Sequence, residues 1–113
     1  MKVEFYEKSN GEKPALDFIL SLDKKTRAKI AGAVELLKLK GHELRPPLSK
    51  KISKNIFELR CEYNSNQYRV LYFFVVDNKA YLTNGFIKKA MATPIREIER
   101  AERYRNDYLA RRG

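Results

Sequence analysis

The chain is 113 residues long, with 43% hydrophobic residues, 12% aromatic residues and a formal net charge of +10. That length suits a single folded domain over residues 1–113, and the apolar content excludes a disordered tail. Cys61 is the only cysteine, which excludes an intrachain disulfide, and the longest apolar run, Val70 to Val76, is far short of a membrane span. No apolar stretch of signal-peptide type follows Met1, so the expectation is a cytoplasmic protein with no membrane association. The charge favours polyanionic partners, with nucleic acid first and an acidic protein segment second.

Val3 and Phe5 alternate with polar neighbours and read as a short first strand, which Asn10-Gly11 ends. Pro14 suits a first helical turn, and Ala15, Phe18, Ile19 and Leu22 follow at helical spacing. Asp23 can cap a second helix whose stripe is Ile30, Ala33, Val34 and Leu37, with Gly41 placed to end it. A charged, proline-containing loop is expected from His42 to about Asn55.

The period then changes from helix to strand. Phe57, Leu59, Cys61 and Tyr63 share one face of a strand, while Glu58, Arg60 and Glu62 share the other. Asn64-Ser65-Asn66 is a turn, Tyr68 to Val76 is aromatic and β-branched, Asp77-Asn78 turns again, and Ala80 to Ile87 forms the next strand. The middle strand is apolar enough to be covered on both faces. Thr93 can cap and Pro94 can start a last helix, with Ile95, Ile98, Ala101, Tyr104 or Tyr108, and Leu109 on its apolar stripe. The order β-α-α-β-β-β-α predicts an α+β domain, an antiparallel sheet packed with helices.

One histidine and one cysteine offer no ligand cluster, so no metal site and no cofactor are expected. Cys61 faces with Leu59 and Phe57, as an inert apolar thiol would. His42 reads as a solvated loop residue, and the tyrosines as core aromatics with tethered hydroxyls rather than base-stacking platforms. What remains is a cationic site. Arg60 and Arg69 lie on strands joined by a short turn and can converge on one sheet face, with Lys88 and Lys89 at the end of the next strand. Such groups stabilise the extra negative charge that a phosphate gathers during cleavage. On an open sheet face, Arg69→Ala should cost no more than about 1 kcal/mol of stability. Lys50, Lys51 and Lys54 are candidates for further site cations or for RNA contact, and Arg96, Arg100 and Arg103 on the last helix for docking RNA or an acidic partner.

The element order, together with Pro46-Pro47-Leu48-Ser49-Lys50, Glu58-Leu59-Arg60, Tyr68-Arg69-Val70-Leu71-Tyr72, Phe86-Ile87-Lys88-Lys89, Thr93-Pro94 and Glu97-Ile98-X-X-Ala101, resembles the RelE/ParE toxin superfamily and its phage-derived HigB-like branch. The resemblance implies a RelE-like fold and a toxin of a type II toxin–antitoxin system. Such toxins cut mRNA without metal, usually in the ribosomal A site, by turning a ribose 2′-OH on its own phosphate. It also implies a cognate HigA-like helix-turn-helix antitoxin, with operator DNA reached only through that partner. Under it, Arg69 matches the strand arginine used on the scissile phosphate, and Lys88 or Lys89 the second cation. Where RelE carries strand lysines this chain has Ile56 and Glu58, so the proton acceptor is left open between Glu58, a lysine and a tyrosine. The ParE relatives, which act on DNA gyrase, and a non-catalytic RNA-binding protein are the alternative readings.

Overall fold

Residues 1–112 are described by a computed structural model, an α+β domain built on one five-stranded sheet. In chain order the elements are β1 (Lys2–Phe5), α1 (Pro14–Leu20), α2 (Lys24–Lys40), β2 (Ser49–Lys51), β3 (Phe57–Tyr63), β4 (Asn66–Val75), β5 (Lys79–Lys88) and α3 (Ile95–Arg112). The sheet order is β1-β5-β4-β3-β2.

Two features differ from the sequence expectation. The sheet is mixed, because β1 runs parallel to β5, Val3 facing Ala80 and Phe5 facing Leu82. The helical pair α1–α2 and the β2–β3–β4 meander intervene between them, so the first strand returns beside the last. The second difference is β2, which lies inside the stretch expected as loop. Ser49, Lys50 and Lys51 carry no alternating apolar signal; they are drawn into the sheet by antiparallel pairing with Leu59, Glu58 and Phe57. Ser49 is buried and its hydroxyl hydrogen-bonds the Tyr72 hydroxyl at 2.5 Å, a polar tie across the core face of β3.

The central strand β4 is buried on both faces from Tyr68 to Phe73, as its unbroken apolar run requires. Tyr68, Val70 and Tyr72 pack with Leu59 and Leu82 beneath α1 and α2, where Ala15, Ile30 and Leu37 are the buried helical residues. Leu71 and Phe73 face the other way and pack with Ile56 and with Ala101 of α3. The two-residue turn at Asn64 and Ser65 has both residues at positive φ, which matches the twist of the hairpin it closes. Gly85 on β5 is the site of closest helix approach: a Cβ there would stand 2.3 Å from the Phe18 ring of α1.

Helix α2 is capped as expected, the Asp23 carboxylate accepting the Thr26 N–H at 2.8 Å. Helix α3 starts at Ile95, whose side chain was placed on the apolar stripe and is instead 74% exposed. The inward line of α3 runs through buried Glu97 and Ala101 and half-buried Tyr104 and Tyr108. Tyr104 stacks on Tyr6 with 4.7 Å between centroids, and Tyr108 lies 4.3 Å from Tyr81. The Tyr6 hydroxyl donates to Asp107 at 2.5 Å, and Asp107 also pairs with Arg111 at 2.8 Å.

Burial and the neighbouring Asp107 carboxylate push the Tyr6 phenol up from 10.0 to about 12, and burial with the Tyr108 contact does the same for Tyr81. The folded protein therefore holds these protons more tightly than the unfolded chain. Their contribution is complete below pH 10 and is lost as pH rises through about 12. Urea midpoints should stay level up to pH 10 and fall between pH 10 and 12, and a Tyr6→Phe/Tyr81→Phe variant should show a shallower fall. A double variant that falls as steeply as the parent would contradict the assignment.

Candidate functional site

The site is built on the sheet face that α3 covers only in part. Strand register puts Arg60 of β3 directly opposite Arg69 of β4, which in turn faces Phe86 of β5. The next row outward is Glu62, Gln67 and Lys88. One row inward, Glu58 stands opposite Leu71, and Lys50 of β2 stands opposite Glu58. Residues paired this way project to the same side. The pairing thus gathers Lys50, Glu58, Arg60, Arg69 and Lys88 on one face.

Glu58 is the centre of this group and is fully buried. Its Oε1 accepts from Arg60 Nε at 3.0 Å and lies 3.5 Å from Arg69 Nε. Its Oε2 accepts from the Thr93 hydroxyl, on the connection between β5 and α3. Thr93, read from sequence as a helix cap, instead ties this connection to the site, and α3 begins two residues later.

The two arginines are held differently. Arg69 is 4% exposed; Nη1 donates to the Tyr68 carbonyl at 3.0 Å and Nη2 to Gln67 Oε1 at 2.8 Å. Its Nε makes no better contact than the 3.5 Å approach to Glu58. Burial pushes the Arg69 guanidinium below the usual arginine range, Glu58 opposes that shift and Arg60 adds to it. Arg69 is therefore not on an open sheet face, and the small stability cost expected for its removal does not hold. The reason is legible in the register: Leu71 and Phe73, two and four residues on, are core residues of the same face. Arg60 keeps a side-chain exposure of 26% and is bound to Glu58 through Nε alone, which leaves its terminal nitrogens open.

Those nitrogens border a cavity of about 330 Å³ lined by Lys50, Lys51, Ile52, Glu58, Arg60, Lys88, Met91, Ala92, Thr93 and Ile98. Arg69 lines a neighbouring cavity of about 310 Å³ with Pro47, Leu48, Cys61 and Glu62, and Arg60 forms the wall between the two. Of the sequence candidates, Arg60, Lys88, Lys50 and Lys51 meet at the first cavity. Lys89 is exposed one residue past β5 and does not line it. Lys54, Arg96 and Arg103 are exposed and stand outside it, and Arg100 pairs with Glu97 at 3.4 Å. Lys51 lies over the Phe57 ring at 6.0 Å. Sequence reasoning missed Ile52, Met91 and Ala92 as lining residues, since all three lie between the expected elements, and it missed Glu97 as a buried acid, which Asn84 of β5 satisfies at 3.0 Å.

Cys61 is half-buried against the α1–α2 core, and burial pushes its thiol up despite Lys29 and Arg69 nearby, which keeps it a thiol. His42 is exposed, with its ring 3.9 Å from that of Phe74. Tyr68 and Tyr72 are core residues, and no tyrosine lines the cationic cavity. Among the described residues, no three His, Cys, Asp or Glu side chains are grouped to hold a metal ion. Nor is any helix among them long and apolar enough to cross a membrane.

Fold and site together define a small basic α+β protein whose open guanidinium and lysines border a cavity of about 330 Å³. A model of the family described as "Phage derived protein Gp49-like (DUF891)" matches residues 17–106, and the chain belongs to that family. The match takes in every residue of the site, and the family is a toxin-like one within the RelE/HigB-like toxin group. No curated protein matches the chain.

The unequal burial of the arginines gives a direct test. Arg69→Ala empties a buried position, removes the donor to the Tyr68 carbonyl and Gln67 and takes a cation from beside Glu58, and should cost about 3 kcal/mol, within the range for breaking buried ion pairs. Arg60→Ala, at the cavity wall, should cost about 1 kcal/mol. Urea midpoints decide it, and an equal or reversed order of the two losses would contradict the described environments.

Proposed function

We propose that this protein is the toxin of a type II toxin–antitoxin system and a metal-independent endoribonuclease that cuts mRNA at the ribosome. The observation that carries the reading is Arg60, positioned by a buried carboxylate with its terminal nitrogens open to a cavity that Lys50 and Lys88 also line. A planar guanidinium fork suits two oxygens of one phosphate, and lysines add charge without imposing a plane.

In this mechanism the ribose 2′-oxygen attacks the adjacent phosphorus and the bond to the 5′-oxygen breaks. The products are a 2′,3′-cyclic phosphate and a 5′-hydroxyl end. The 2′-hydroxyl gives up its proton and the departing 5′-oxygen gains one. Arg60 and Lys88 act on the negative charge that builds on the phosphate oxygens, where donors fixed in advance contribute most. Arg69 acts from behind, as the buried cation that shares Glu58 and keeps the carboxylate in place. Glu58 accepts from two donors and has the Arg69 guanidinium 3.5 Å away, which supports a positioning role for it over that of proton acceptor.

Lys51, Lys54, Lys89, Arg96, Arg100 and Arg103 supply the wider electrostatic attraction to mRNA and ribosomal RNA. The partner in the inactive state is a HigA-like helix-turn-helix antitoxin, through which operator DNA is reached, and the working compartment is the cytoplasm.

The test uses the full chain, ribosomes and an mRNA carrying one 2′-deoxyribose at a mapped cut. The parent should cut the all-ribose mRNA, yield cyclic-phosphate ends with and without EDTA, and spare the deoxy position. Arg60→Ala should lower the single-turnover rate by about 100- to 1000-fold. Cutting at the deoxy position, or cutting that depends on added divalent metal, would overturn the mechanism. A growth arrest with intact mRNA and altered DNA supercoiling would point to a gyrase inhibitor instead.

A further inference from the structure

The cationic cavity has a second wall of different chemistry. Beside Arg60 and Lys88 its lining includes Ile52, Met91, Ala92 and Ile98, with Met91 and Ala92 on the connection between β5 and α3 and Ile98 in the first turn of α3. Met91 is 98% exposed, an unusual place for a large apolar side chain, and Ile95 beside it is 74% exposed. Scattered exposed apolar residues need no explanation, but Met91 borders a cavity that charged side chains also line. The only polar side chain on the apolar side is Thr93, and its hydroxyl already donates to Glu58. A volume of about 330 Å³ lies at the small end of the range for single-ligand sites.

We propose that this cavity holds one nucleotide of single-stranded RNA, its phosphate on Arg60 and Lys88 and its base laid against Met91, Ala92, Ile52 and Ile98. The inference rests on the reading of the site as an RNA-cutting one and adds where the adjacent base goes and how it is read. A thioether and aliphatic carbons offer dispersion contact to any base face. They cannot read a base edge, and the Thr93 hydroxyl, its proton given to Glu58, can only accept, which leaves no side-chain donor on that wall. The base at this position is therefore required and its identity is read only weakly. Any codon preference comes from other positions or from the ribosome.

The probe is a short single-stranded oligoribonucleotide binding the full chain, followed by fluorescence anisotropy. A set with each of the four bases at the position beside the bound phosphate is compared with one that is abasic there. The four should bind within a few fold of one another, and the abasic one about 5- to 10-fold more weakly, the low end for base-stacking side chains. Met91→Ala, at a position too exposed to threaten folding, should impose the same loss on all four and none on the abasic oligonucleotide. Met91→Leu should restore most of the binding. Equal binding of abasic and base-bearing RNA, indifference to Met91→Ala, or a strong preference for one base would overturn the proposal. Failure here with cleavage intact leaves the endoribonuclease reading standing; base-dependent binding without cleavage would leave the base site standing and remove the reaction.

Discussion

A carboxylate with no access to water is costly unless it is paired, and Glu58 is the group on which the arrangement of this site depends. It lies in the middle of a strand, at the register position that faces Leu71, and receives Arg60, Arg69 and Thr93 from three separate parts of the chain. The cluster ties β3 to β4 and both to the connection leading into α3. Such pairs add little net stability compared with apolar packing, but breaking one strands a charge in the interior. Their effect is geometric. Glu58 draws in one nitrogen of Arg60 and leaves the rest of that guanidinium aimed at the cavity.

The remainder of the fold supports this arrangement. Helices α1 and α2 pack on one face of the sheet, and Gly85 lets Phe18 come close to it. Helix α3 crosses only part of the other face, held at its C-terminal end by Tyr6, Asp107 and Arg111. The cavity opens along the strip where β2, β3 and the end of β5 meet the connection into α3 and the first turn of that helix. Lys50 reaches that strip only because β2 joins the sheet beyond β3.

Much of this was legible in the sequence for a physical reason. Alternation fixes which residues share a face, so Arg60 and Arg69 on one side and Leu59 and Cys61 on the other followed from parity alone. The helical stripe of α2 followed from its period in the same way. What failed had no local signal. β2 is three residues with two lysines, stabilised by its neighbour, and the parallel β1–β5 pairing brings the first strand beside the last across most of the chain. Ile95 was assigned by hydrophobicity, but the helix axis turns Glu97 inward, where Asn84 receives it. The burial of Arg69 was readable in principle: an arginine alternating with Leu71 and Phe73, opposite a strand carrying Glu58, marks a covered face with its own counter-charge. The apolar wall of Met91 and Ala92 was not readable, because it depends on how Thr93 anchors the connection.

The claim that Glu58 acts by positioning Arg60 is tested most directly by Glu58→Gln, measured by kcat and KM for RNA cleavage beside circular dichroism of the folded protein. Removing a negative charge from a site that binds an anion should leave KM unchanged or lower. Loosening the guanidinium should lower kcat by about 10- to 100-fold, as for a reacting group displaced by about an ångström. A folded Glu58→Gln protein that cuts at the parental kcat would contradict the account.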